Sequence, residues 1–86
     1  MADEPLYKKY VSKFQGIEVW PNRVIISTGT FAKTEQTILI KSITGVDLQG
    51  PAKFLQITTQ SGKVYKETFM AGKIAEEAYK VIMPML

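Results

Sequence analysis

Eighty-six residues, 45% apolar and 22% charged, make one small domain of ordinary globular composition. Histidine and cysteine are both absent. That excludes a disulfide framework and thiolate metal sites, and removes the commonest general base and metal ligand together. The net charge of +3 comes mostly from lysines spread along the chain, which describes a solvated basic surface rather than the clustered arginines of a nucleic-acid site.

No apolar run approaches the ~20 residues that span a bilayer. The opening Met1-Ala-Asp-Glu-Pro5 is acidic and lacks the apolar stretch of a signal peptide. A cytoplasmic protein, or a domain of a larger one, is the expectation.

Residues 4–14 read as a short N-terminal helix. Asp3, Glu4 and Pro5 suit a helix start. Leu6, Tyr7, Tyr10, Val11 and Phe14 then fall on one helical face, with Lys8, Lys9, Ser12 and Lys13 on the other. Gly16 breaks the pattern. Ile17-Glu-Val-Trp20 alternates as a strand, and Trp20-Pro-Asn-Arg23 turns the chain with Pro and Asn at its centre. Arg23–Thr28 is a β-branched strand. After a turn at Thr28-Gly-Thr30, Phe31–Thr34 reads as a short strand and Gln36–Ile40 as a stronger one.

From Ile40 to Leu48 the apolar spacing of three, three and two fits neither period. A bend after Lys41 explains it, with Gly45 permitting a bulge. Gln49-Gly-Pro-Ala52 is a loop. Lys53–Gln60 and Lys63–Phe69 form a hairpin about Ser61-Gly62, with Thr59 expected opposite Val64, Ile57 opposite Lys66 and Thr58 opposite Tyr65. Residues 71–83 form the closing helix. Its stripe is Ile74, Ala75, Ala78, Tyr79, Ile82 and Met85, and Lys73/Glu77 and Glu76/Lys80 are spaced as i,i+4 pairs. Gly72 or Thr68 caps its start and Pro84 ends it. Burying Ile74, Tyr79 and Ile82 at roughly 1.5–3 kcal/mol each makes this helix indispensable.

About seven short antiparallel strands followed by one helix describe a mostly β protein with α. Three stretches carry a family resemblance: Ile17-Glu-Val-Trp20-Pro-Asn-Arg-Val-Ile-Ile26, Ile38-Leu-Ile-Lys-Ser-Ile43-Thr-Gly-Val46, and Leu55–Tyr65 with the closing helix. Together they resemble the small bacterial PH-like (pleckstrin-homology superfold) domains, including those found ahead of C-terminal oligomerisation segments. The resemblance implies a partly open barrel capped by its C-terminal helix, and a binding module rather than an enzyme.

For function, a protein-interaction or self-assembly module is the first expectation. Trp20, Phe31, Met70, Met83 and Met85 are its interface candidates, each weighed against a plain packing role. The alternative is peripheral binding to an anionic membrane surface through Lys8, Lys9 and Lys13, with Lys33 or Lys53 as further contacts. One arginine near the Trp20–Arg23 turn speaks against specific phosphoinositide binding. Nucleic acid is not expected, because Tyr7, Tyr10 and Phe14 belong to the face read as buried. No catalytic residues, metal ligands or cofactor are expected. Glu18, Glu35, Asp47 and Glu67 share no pocket by their spacing, the serines lack a histidine, and no glycine-rich phosphate loop is present.

Overall fold

The computed structural model describes residues 4–29, 31–66 and 72–86. Seven strands and one helix follow in order: β1 (Tyr7–Tyr10), β2 (Gly16–Val19), β3 (Arg23–Thr28), β4 (Thr34–Leu39), β5 (Ile43–Gln49), β6 (Phe54–Thr59), β7 (Val64–Lys66) and α1 (Lys73–Ile82). They form two antiparallel sheets, β1-β2-β3-β4 and β5-β6-β7, which are not hydrogen-bonded into a closed barrel.

The strand count agrees with the sequence expectation through two changes that offset each other. The expected helix over 4–14 is not formed, and β1 lies there instead, with Tyr7 paired to Val19 and Tyr10 to Gly16. The expected strand at Phe31 is absent, because the chain only bends there and β4 begins at Thr34. The physical reason for the first change is tertiary. The inner face of β2 carries Ile17 and Val19, both fully buried, and a central strand needs a ladder partner on each side. Two tyrosines suit a strand as well as a helix. They lie three apart, so they face opposite ways: Tyr7 packs on the core, while Tyr10 lies over Gly16 on the outer face, where a Cβ would meet its ring.

Local chemistry sets the corners. Pro21 and Asn22 turn β2 into β3, closed by the Trp20 amide donating to the Arg23 carbonyl at 2.7 Å. The bend expected after Lys41 is a single 3-10 turn, Ile40–Ser42, where the Ser42 hydroxyl donates to the Leu39 carbonyl at 2.8 Å. In β5 the register shifts between Ile43 and Gly45, so Thr44 is the extra residue of the expected bulge.

The β6–β7 hairpin forms one residue out of the expected register: Thr58 faces Val64 and Ile57 faces Tyr65. Its loop has three residues, not two. The Gly62 amide donates to the Thr59 carbonyl at 2.9 Å and the Thr59 amide to the Lys63 carbonyl at 3.0 Å, with Gly62 at φ 89°, a turn closed by a bulge at glycine. The slip places Tyr65 beside buried Ile57 and leaves Val64 exposed. Thr68 and Phe69, and the start of the helix expected at residue 71, lie outside the described residues.

The core joins both sheets to the helix: Ile17, Val19, Val24, Ile26 and Ile38 from the first, Ile43, Val46, Leu55 and Ile57 from the second, and Ala75, Ala78 and Ile82 from α1. The two alanines are small enough for the helix to sit close on β5 and β6. Gly72 precedes the helix without a side-chain cap, and Met83–Met85 continue it as a 3-10 turn containing Pro84. The expected i,i+4 pairs give way to longer reaches. Glu76 pairs with Lys53 at 2.7 Å, and Glu77 accepts from the Tyr7 hydroxyl at 3.2 Å.

That last contact carries a pH signature. Burial, and then the hydrogen bond and negative charge of Glu77, push the Tyr7 phenol up to about 12 from an ordinary 10. A raised folded-state value means the folded protein holds its proton where the unfolded chain releases it. The stabilisation is therefore complete below pH 10 and lost as pH rises toward about 12. In an alkaline unfolding series, Tyr7→Phe is expected to flatten the stability loss across that window, and one phenol should disappear from the late end of the ultraviolet titration.

Candidate interaction surfaces

Alternation along the strands of the first sheet sends Ile17, Val19, Val24, Ile26 and Ile38 inward and their neighbours outward. The register builds the outer face in rows. Lys8, Glu18, Ile25 and Thr37 lie side by side across the four strands, and so do Tyr10, Gly16, Ser27 and Glu35. Arg23 sits opposite Leu39 near the Trp20 turn.

Glu18 organises the middle of this face. One carboxylate oxygen accepts from the Tyr10 hydroxyl at 2.7 Å and the other from the Trp20 indole at 3.0 Å. With its proton committed to Glu18, the Tyr10 oxygen accepts from Ser27, 3.3 Å away. Ser27 is fully buried under that ring. Burial works to raise the Glu18 carboxyl, but the two hydrogen bonds, with Lys8 and Lys33 nearby, outweigh it and hold the group below its ordinary range. Cations cover the aromatic rings. Lys8 and Lys33 stand 5.8 and 5.3 Å from the Tyr10 centroid, and Arg23 lies 4.6 Å from that of Trp20, all within cation–π range.

The candidate residues divide between the two ends of this sheet. Trp20 is half-buried, held by Glu18 and Arg23, beside the turn residues Pro21 and Asn22. Those two residues line an open groove of about 570 Å³ with Leu39, Ile40, Lys41, Ile43, Met85 and Leu86. Met85 is half-buried in it, and Met83, on the same 3-10 turn, is exposed, as are Leu39 and Leu86. Phe31 stands apart at the other end, in the β3–β4 loop, 95% exposed. Met70 lies outside the described residues.

The three expected lysines do not share one helical face, because no helix forms there. Lys8 points to the outer face, Lys9 to the opposite side of β1, and Lys13 sits in the following loop, 5.6 Å from the Phe14 ring. Lys53 is engaged at the start of α1 by Glu76. Sequence reasoning missed Glu18 as the hub. Its only signal was an acid on a strand two residues before a tryptophan, which shows itself once β1 supplies Tyr10.

A second groove continues from the first. Thr37, Ile38, Leu39 and Ser42 face Thr59, Gln60, Ser61 and Tyr65 across it, so Leu39 belongs to both. Here β4 borders the β6–β7 turn without pairing to it, and β4 is an edge strand. Among the described residues no group of three or more acidic side chains could hold a metal, and no helix is long and apolar enough to cross a membrane. No family model, curated protein or solved structure matches this chain.

Proposed function

We propose that this chain is a non-catalytic binding module of the PH-like kind that associates with a second copy of itself through the β4 edge and the adjoining apolar groove. Four antiparallel strands, then three, then a terminal helix packed over the opening is the order the PH-like reading calls for. Glu18, the acid at the middle of the outer face, has both oxygens occupied by Tyr10 and Trp20, a structural use of that carboxylate that supports a binding role.

The observation that carries the reading is the contrast among sheet edges. Exposed strand edges invite pairing with another chain unless charge or cover blocks them. β1 carries Lys8 and Lys9, β5 lies against α1, and β7 has three described residues. β4 offers six residues with one charge, Glu35, and it ends in exposed Leu39 beside Ile40, Met85 and Leu86. Backbone pairing plus burial of that cluster fits β-strand addition.

Light scattering on the parent chain over a concentration series is expected to show a dimer that dissociates on dilution. Leu39→Glu should shift the midpoint by at least about tenfold in concentration, since a buried leucine is worth roughly 1.5–3 kcal/mol. A parent that stays monomeric at the highest concentration removes self-assembly.

A further inference from the structure

The hydrogen bonding of the first sheet fixes which backbone groups of β4 point away from it. The Trp20 amide donates to the Arg23 carbonyl, and antiparallel bonding alternates along a strand, so Arg23, Ile25 and Ser27 bond to β2. Val24, Ile26 and Thr28 then bond to β4, opposite Ile38, Gln36 and Thr34. The Ile40 amide continues the series by donating to the Asn22 carbonyl at 3.0 Å. The groups left for a partner are the amides and carbonyls of Glu35, Thr37 and Leu39, all three exposed. Two positions beyond Leu39 lies Lys41, exposed on the 3-10 turn. The ion pairs among the described residues are Lys33–Glu35 and Lys53–Glu76, and Lys41 takes part in neither.

We propose that two copies join with Thr37 on the two-fold axis, opposite its own counterpart, and that Glu35 of each copy recognises Lys41 of the other. This rests on the self-assembly reading and specifies its register. A two-fold axis normal to the sheet sets the two β4 strands antiparallel with their outer faces on one side. The free groups then meet only when Glu35, Thr37 and Leu39 lie opposite one another, and the possible registers differ by steps of two residues. With Thr37 opposite Thr37, Glu35 lies opposite Leu39 of the other copy, and all three residues are bonded. Sliding the pair either way leaves at least one of the three facing a residue outside β4. Sliding toward Glu35 opposite Glu35 also brings like charges together. In the central register Lys41 is the diagonal neighbour of Glu35 across the axis, within the reach of a long side chain. That attraction occurs twice by symmetry.

The test combines cross-linking with charge exchange in the full chain. The chain has no cysteine, so single cysteines report the register. With a short bifunctional thiol reagent, Thr37→Cys is expected to form a covalent dimer by itself. Glu35→Cys and Leu39→Cys should cross-link poorly alone and efficiently when mixed. Glu35→Lys and Lys41→Glu should each raise the dissociation midpoint about fivefold, because each sets like charges side by side at both symmetric positions. An equal mixture of these two variants should return the midpoint to that of the parent, since the charges are complementary in the mixed dimer. Circular dichroism of every variant should match the parent, because these side chains are exposed. A parent that never associates removes the self-assembly reading and this register with it. A parent that dimerises while Glu35→Cys or Leu39→Cys cross-links alone and Thr37→Cys does not overturns the register only. So does a mixture of the charge variants that associates no better than either alone.

Discussion

Ile82→Ala is expected to destabilise the protein by about 2–5 kcal/mol, the range for deleting a buried isoleucine side chain and leaving a cavity. Ile82 is fully buried in the last turn of α1, where it meets the cluster made by both sheets. The helix contributes two alanines and this one large side chain to the fully buried core, while Ile74, Tyr79 and Val81 pack against it only partly buried. A domain of this size has only ~5–15 kcal/mol in hand, and each lost kcal/mol lowers the melting temperature by roughly 4–8 °C. Urea unfolding of the variant should show the loss. Met83→Ala, one residue on and 42% exposed, should change stability by less than about 0.5 kcal/mol. Equal effects from the two substitutions would mean that α1 does not hold the sheets together.

The second large effect belongs to Gly29. Its φ of 140° lies where side chains are strained, and a Cβ there would run into the Ala32 carbonyl. Gly50 and Gly62 also have positive φ, at 75° and 89°, but nothing stands where their Cβ would go. Alanine at Gly50 or Gly62 is therefore expected to cost about 1–2 kcal/mol from backbone strain alone. At Gly29 strain and collision combine, and the loop must open, for a loss at the upper end of ~1–3 kcal/mol or beyond. Thermal melts of the three variants separate the two causes.

Much of the fold is legible in the sequence because its signals are local. Pro21-Asn22 specifies a turn, the irregular spacing from Ile40 to Leu48 marks a corner with a bulge, and Ile74, Ala75, Ala78 and Ile82 define a helix by period. What failed was decided by partners distant in sequence. Tyr7-Lys-Lys-Tyr10 is too short for its period to separate helix from strand, and the unpaired edge of β2 settles the matter. The β6–β7 register turned on a single residue of loop length, since Gly62 closes a three-residue loop rather than sitting in a two-residue one.

The candidate site was legible only as a set of residue types. Trp20, Met83 and Met85 stand out in the sequence as apolar residues in want of a role, and the fold gathers them at one end with Leu39, which the sequence marks only as a strand position. Phe31 goes to the opposite end. Lys33 joins Lys8 over Tyr10 because β1 and the β3–β4 loop come together across three strands. No spacing in the sequence encodes that meeting.

Amide hydrogen exchange along β4 tests the assembly account most directly. Residues 34–39 form an edge whose outward amides exchange freely in a monomer. If β4 pairs with its counterpart in a second copy, those amides should become protected as concentration rises, and Leu39→Glu should restore their exchange. Exchange along β4 that is fast and independent of concentration, in a sample that light scattering shows to be associated, would place the interface elsewhere and contradict the account.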